Sequence, residues 1–255
     1  MRGGVLTSTW TDPLVSLTGG TYALGTEDAI IDLSGTTLAP DPDTGLPIGT
    51  DRPLRHAGAL VETSGATLTT RKAVKIDTAL LEATAPLLQA LGGSNITTTN
   101  HAVDLSYRAR VTSVGPVVAL SGSALTVKEG ALVNVGGASA LVVNGDLVRL
   151  TNGSHLQLLN GPLVSVSGGS VLSVTGTLVA FGGAGNALSV ANSLCGSFSC
   201  SMIGGLPVAL ANGANAGNVS VGGSAIAGSG TVTVAPGAAV LLVSGATSKV
   251  TIGGN

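Results

Sequence analysis

The chain has 255 residues, of which 44% are hydrophobic, 9% are charged and only 2% are aromatic. A net charge of −2 leaves no basic stripe for nucleic acid or for anionic lipid. No apolar run reaches the length of a membrane helix. We therefore predict no nucleic-acid partner and no membrane insertion, and a core built from Val, Leu, Ala and Ile.

An apolar tetrapeptide of the form Leu-Val-x-Val recurs along the chain. Its copies begin at Leu14, Ile30, Leu60, Ala73, Leu87, Ala102, Val117, Leu132, Leu147, Leu163 and Leu178. From Leu87 onward, successive copies start 15 or 16 residues apart. Looser copies begin at Pro207 and Val240. A fixed period of this kind indicates a repeat architecture.

Each unit holds a second short apolar stretch, for example Leu156-Gln-Leu158, with glycine-rich corners between the two stretches. Two strands and two turns within about 15 residues leave no room for a crossover helix. The sequence therefore predicts an all-β fold, a β-solenoid (β-helix) of roughly 15-residue repeats with parallel stacked strands. The period alone leaves open whether one coil contains one unit or two.

We predict a single solenoid domain over residues 1–255 with two excursions. The first, 39–53, is polar and proline-rich, and the second, 192–205, contains both cysteines, Cys195 and Cys200. A disulfide between these cysteines would fix the second loop and imply an oxidising compartment. Two unpaired buried thiols are the alternative.

Charge is distributed unevenly, since 23 of the 24 charged residues precede Thr151. Neither end shows a repeat with a polar outer face, so we expect uncapped ends. The last coil of one molecule can then extend the first coil of the next, a head-to-tail contact that does not close and forms a fibre. Missing flanking repeats of a longer protein are the alternative. The candidate assembly residues are Leu14, Val15, Leu17, Val240, Leu241, Val243, Val250 and Ile252.

Strand alternation predicts which side chains of the copy at Leu163 face the interior. Val164, Val166, Leu172 and Val174 are expected to point inward. Leu163, directly beside Val164, is then expected at a corner or on the outside. Because this extra apolar position recurs where charge is absent, it predicts that this half is covered by another subunit or by further sequence.

Chemically active residues are sparse, and we predict no cofactor, no metal and no enzymatic activity. The three histidines, His56, His101 and His155, are expected to be ordinary turn or surface residues. The strongest enzymatic alternative is a polysaccharide-cleaving site in which Asp77, Glu82 and Asp104 face one another across coils. With only five aromatic residues to bind sugar, we do not favour it.

The segment LVNVGGASALVVNGDLVRLTNGSHLQLLNGPLVSVSGGSVLSVTGTLVAF resembles the passenger β-helices of bacterial filamentous haemagglutinin-like surface proteins. The resemblance extends over roughly residues 87–181. It implies an exported, elongated protein used for adhesion or as a surface structure. The expected end-to-end assembly is similar to that of bactofilins, which are cytoplasmic.

These expectations favour a structural protomer that self-assembles head to tail, and possibly laterally, into an extracellular or cell-surface filament. The alternative function is a segment of a larger secreted β-helical adhesin that binds host or surface ligands. A cytoplasmic filament is the alternative location.

Overall fold

A computed structural model describes residues 7–25, 29–34 and 54–191, and six strands beyond Ala191. Throughout these residues the chain forms short strands joined by turns and bends. The strands stack in parallel into four sheets that run along the molecule. The predicted all-β, parallel β-solenoid is therefore confirmed.

The first and second sheets each contain eight of the described strands. The first sheet consists of β2 (Val15–Thr18), β6 (Val61–Ser64), β10 (Leu88–Leu91), β14 (Val118–Ser121), β18 (Val148–Thr151), β22 (Val179–Gly182), β25 (Val208–Leu210) and β28 (Leu241–Val243). The second sheet consists of β3 (Thr21–Ala23), β7 (Thr67–Thr70), β11 (Asn95–Thr98), β15 (Ala124–Val127), β19 (His155–Leu158), β23 (Ala187–Val190), β26 (Asn218–Val221) and β29 (Lys249–Ile252).

The third and fourth sheets complete the coil and contain seven and six described strands. The third sheet consists of β4 (Ile31–Ser34), β8 (Val74–Asp77), β12 (Val103–Ser106), β16 (Val133–Val135), β20 (Val164–Val166), β24 (Cys195–Gly196) and β27 (Ile226–Ala227). The fourth sheet consists of β1 (Thr7–Ser8), β5 (Leu54–His56), β9 (Leu80–Ala83), β13 (Arg110–Ser113), β17 (Ala140–Val143) and β21 (Val171–Val174).

One coil contains two of the sequence units. Leu88 of β10 pairs with Val118 of β14, and Val118 pairs with Val148 of β18, so the coil repeats after 30 residues at these positions. The apolar tetrapeptide alternately begins strands of the first and third sheets, whereas the second apolar stretch forms the second and fourth. The coil thus consists of two similar halves. The period alone had left open whether a coil contains one unit or two, and the structure shows two.

Burial follows the alternation expected of strands with one face in a core. In β14, for example, Val118 and Leu120 are buried and the residues between and after them are half-buried. The predicted inward positions Val164, Val166, Leu172 and Val174 are all fully buried, so those predictions are confirmed.

Between Leu60 and Leu178, the residue before each strand of the first and third sheets is also buried, which corrects the prediction for Leu163. Leu163 lies at a corner as one alternative had it, but its side chain is 0% exposed and packs in the core. Successive side chains alternate only within a straight strand, and at a corner the chain changes direction, so two neighbours can both face inward. The equivalent residues are at most 2% exposed, namely Leu60, Ala73, Leu87, Ala102, Val117, Leu132, Leu147 and Leu178. The recurring apolar residue is therefore covered by its own coil and gives no reason to expect a covering subunit.

Glycine recurs three residues before these strands because neighbouring corners stack closely. A β-carbon built on Gly161, before β20, would overlap the carbonyl oxygen of Gly130 at the equivalent corner one coil away. At Gly115, before β14, the nearest atom would be the carbonyl oxygen of Thr84 at an ordinary 3.5 Å. The requirement for glycine thus differs between corners of the same type.

The two predicted excursions fall mainly outside the described residues, 39–53 entirely so. On either side of it the stacking continues, since Ile31 of β4 pairs with Val74 of β8 and Leu54 of β5 pairs with Leu81 of β9. Within 192–205 the structure describes β24, in which Cys195 pairs with Val164.

Candidate functional sites

The first coil exposes one end of the apolar core. Val15 and Leu17 of β2 and Tyr22 of β3 are only partly buried, although they pack against the core. Their partners one coil further on, Val61 and Leu68 for example, are 0% exposed. Leu14, at the corner before β2, is 40% exposed. Four apolar side chains of the first coil therefore lack the cover that the same positions have elsewhere.

The strands at this end also have one free edge within the described part of the chain. There, β2, β3 and β4 each pair with a single neighbour, as do β28 and β29 at the opposite end. The assembly candidates Leu241 and Val243 belong to β28, and Val250 and Ile252 to β29. Val240 lies outside the described residues. A parallel strand pairs through backbone groups at its edge, so these strands offer positions for further pairing.

Buried polar side chains line the corners between the first and second sheets. The backbone N–H of Ser94 donates to Ser123 Oγ at 3.2 Å, that of Ser123 to Ser154 Oγ at 3.4 Å, and that of Ser154 to Asn186 Oδ1 at 2.9 Å. Ser154 Oγ also donates to the carbonyl of Thr151 at 2.6 Å. This serine ladder satisfies backbone N–H groups that a buried corner would otherwise leave unpaired.

A similar ladder at the corners between the third and fourth sheets joins Ala109, Ser139 and Ser170. The N–H of Ala109 donates to Ser139 Oγ at 3.1 Å, and that of Ser139 to Ser170 Oγ at 3.0 Å. Neither ladder was predicted from the sequence. The signal was present, since a serine or asparagine lies two residues before the second apolar stretch in six units, at positions 94, 123, 139, 154, 170 and 186.

A charged cluster lies on the outer side of the third sheet. Lys72 Nζ lies 2.8 Å from Asp104 Oδ2, and only 11% and 8% of these two side chains are exposed. Asn134 Nδ2 donates to Asp104 Oδ1 at 2.8 Å. At the corner before β12, His101 Nδ1 accepts the backbone N–H of Ala131 at 2.8 Å. We call Lys72, His101, Asp104 and Asn134 the polar cluster, and it connects three successive coils.

The titratable groups of the polar cluster are perturbed by their surroundings. Burial alone would raise the pKa of Asp104, but hydrogen bonds from Asn134 and Lys72 and the charge of Lys72 lower it below its ordinary value. Burial lowers the pKa of His101 below its ordinary 6.5, and the Asp104 carboxylate opposes this only in part. At neutral pH the cluster therefore consists of an ion pair beside a neutral imidazole.

The depressed pKa of His101 predicts a loss of stability on acidification. As pH falls below about 6.5, the unfolded chain takes up a proton that folded His101 resists, so the free energy of unfolding decreases. We expect His101→Asn, which has a side-chain oxygen to accept the Ala131 N–H, to show a shallower decrease of Tm between pH 7 and pH 5. Thermal melts across this range test it. His155→Asn, on the exposed face of β19, is the matched control, and an equal slope in His101→Asn and wild type would contradict the prediction.

The three carboxylates of the enzymatic alternative occupy different surroundings. Glu82 belongs to the fourth sheet, where its Oε2 lies 2.7 Å from Arg55 Nε. Asp77 ends β8 of the third sheet and accepts a hydrogen bond from Thr78 Oγ1 at 2.7 Å. Asp104 belongs to the polar cluster. The structure therefore does not bring the three together on one sheet.

One histidine prediction is wrong. His155 is exposed on β19 and His101 is a half-buried corner residue, as expected, but His56 faces inward from β5 and is only 3% exposed. Alternation places it inside, since it lies two residues after buried Leu54 on the same strand. β5 belongs to the fourth sheet, whose strands come from the second apolar stretch, and Leu54-Arg-His56 does not resemble such a stretch because it ends in a polar residue.

The disulfide between Cys195 and Cys200 stays a prediction. Cys195 lies on β24, whereas Cys200 lies outside the described residues. In the described part of the chain, no three His, Cys, Asp or Glu side chains gather as a metal site. No helix there has the length and hydropathy needed to cross a membrane.

The fold defines the chain as a β-solenoid repeat protein. Comparison with protein-family models, with curated proteins and with solved structures gives no match. The resemblance to haemagglutinin-like passengers thus stays a prediction from the sequence, and any functional argument depends on the described residues themselves.

Proposed function

We propose that the protein is a structural β-solenoid protomer that assembles head to tail into a filament, outside the cell or at its surface. The observation that carries this proposal is the first coil, where strand edges unpaired within the described residues coincide with incompletely buried Leu14, Val15, Leu17 and Tyr22. Another coil stacked there would satisfy backbone groups and bury apolar surface in the same step.

The regular stacking supports this form of assembly. Successive coils pair with the same parallel register in every sheet, as Leu88–Leu91 does with Val118–Ser121. A coil from a second molecule can therefore extend the ladder without a new kind of contact. Because such a contact joins different surfaces of the two molecules, it does not close on itself and produces a filament.

Electron microscopy of the purified protein tests the proposal. We expect unbranched filaments in wild type, and we expect Leu17→Lys to prevent them because it places a charge at the exposed end of the core. Thr18→Lys is the matched control, since Thr18 is exposed on the outer side of the same strand, and it should still form filaments. Circular dichroism checks that both variants retain β structure. A monodisperse wild-type monomer at high concentration would refute the proposal.

The second candidate function is an adhesin segment, and Tyr107 favours it. Tyr107 is 70% exposed in the turn between β12 and β13, where both it and Arg108 have positive φ angles of 49° and 65°. An aromatic side chain held outside the coil can stack on a ligand such as a sugar ring. Binding to a glycan array that Tyr107→Ala abolishes would support this candidate, whereas unchanged binding would place any ligand contact elsewhere.

A further inference from the structure

One layer of the interior is polar in the second coil, β5 to β8, and apolar further along. On β17 to β20 the second inward position of each strand is apolar, and the four residues are Val143, Leu150, Leu158 and Val166. On β5 to β8 the equivalent residues are His56, Thr63, Thr70 and Ile76. Three of the four sheets thus place a polar side chain in one layer of the core.

Several buried polar atoms of these coils have no hydrogen-bond partner among the described residues. Both ring nitrogens of His56, Thr63 Oγ1, and Thr98 Oγ1 on β11 are buried without a hydrogen bond. Thr70 differs, since its hydroxyl donates to the carbonyl of Lys72 at 3.0 Å. Buried polar groups in folded proteins are nearly always paired, with protein or with ordered water.

Small side chains lie directly beside two of the three unpartnered residues. The third, Thr98, pairs in register with Thr70 and Val127. His56 pairs in register with Ala83, and Thr63 pairs with Ala90. In later coils the position equivalent to Ala90 is occupied by Leu120, Leu150 and Phe181. The position equivalent to Ala83 is occupied by Ser113, Val143 and Val174. Two unpaired polar side chains of the core therefore lie next to alanine, where later coils carry mostly larger residues.

We propose that the interior beside Ala83 and Ala90 binds water, and that His56, Thr63 and Thr98 hold this water through hydrogen bonds. A buried water needs a polar site with two to four hydrogen-bonding groups and enough room. The two ring nitrogens of imidazole point in different directions, so each nitrogen takes its own water. The threonine hydroxyls, which both donate and accept, supply the remaining bonds.

Two measurements test the site. Deuterium magnetic relaxation dispersion, which detects long-lived internal waters, should show a contribution that Ala90→Leu removes by filling the space. Thr63→Val keeps the shape but deletes the hydroxyl, so it should lower Tm by a few degrees, with Thr69→Val on the exposed face of β7 as the control that leaves Tm unchanged. A dispersion signal equal in wild type and Ala90→Leu, or a Tm that is unchanged or higher in Thr63→Val, would overturn the proposal. Neither readout depends on filament formation.

Discussion

Gly161→Ala is expected to destabilise the solenoid more than an ordinary core substitution. The new β-carbon would overlap the carbonyl oxygen of Gly130, which belongs to the backbone of the neighbouring corner and cannot move as a side chain can. Overpacking a core costs about 1–3 kcal/mol when side chains can adjust. Here two coils must separate locally, which also strains the ladder on both sides. We therefore expect a decrease in the free energy of unfolding of at least about 3 kcal/mol, or roughly 6 °C or more in Tm.

Gly115→Ala is the matched control for this prediction. Gly115 occupies the equivalent position before β14, and a β-carbon there would make only an ordinary contact with Thr84. Its φ also lies outside the left-handed region, so alanine adopts it without strain. Thermal melts followed by circular dichroism should show a near-wild-type Tm for Gly115→Ala. Equal Tm values for the two variants would mean that corner stacking does not require Gly161.

Lys72→Met is expected to produce the second large effect. It removes the cation that faces Asp104, and leaves a carboxylate that is only 8% exposed with Asn134 as its remaining hydrogen-bond donor in the polar cluster. Removing one partner of a buried ion pair typically costs about 3–5 kcal/mol, because the other charge stays buried without compensation. We expect a decrease in Tm of roughly 6–20 °C at pH 7, measured by thermal or urea unfolding.

The double variant Lys72→Met/Asp104→Leu separates the loss of attraction from the cost of an isolated charge. Apolar side chains of similar size can replace a buried pair at little cost, so the double variant should be more stable than Lys72→Met alone. The exposed pair Arg55–Glu82, with 58% and 44% of its side chains exposed, supplies a second control. Arg55→Met should change stability by at most about 1 kcal/mol. A similar loss in Arg55→Met and Lys72→Met would contradict the assignment of Lys72–Asp104 as a buried pair.

Much of the fold was predictable because the interior requires the same residue types in every coil. The tetrapeptide copies at Leu132 and Leu147 mark strands that the structure contains, with parallel stacking. The number of units in a coil was not predictable, since chemically similar halves produce the same period whichever strands pair. The corner position of Leu163 was one predicted alternative, but its burial was missed because strand alternation does not hold where the chain turns.

The candidate sites were less predictable because they depend on single positions that do not repeat. Lys72 and Asp104 are 32 residues apart and come from a corner and a strand, so no period aligns them. His56 occupies a position that is alanine, serine and then valine in later coils, and no composition rule reveals it. The serine ladder, in contrast, does repeat, and an alignment of the residues that precede the second apolar stretch would have shown Ser94, Ser123 and Ser154.

The two-unit coil has a consequence for how such a chain can change its length. Interior chemistry repeats with each unit, but the backbone returns to the same side of the rod only after two, as the pairing of Leu88 with Val118 shows. Deleting two units would shorten the rod and leave every outer face in place. Deleting one unit would still stack the corners that contain leucine on one another, and likewise the corners that contain serine. Every later outward-facing residue would, however, move to the opposite side of the rod. A single-unit insertion or deletion can therefore rearrange the surface of this protein by half a turn without a new core.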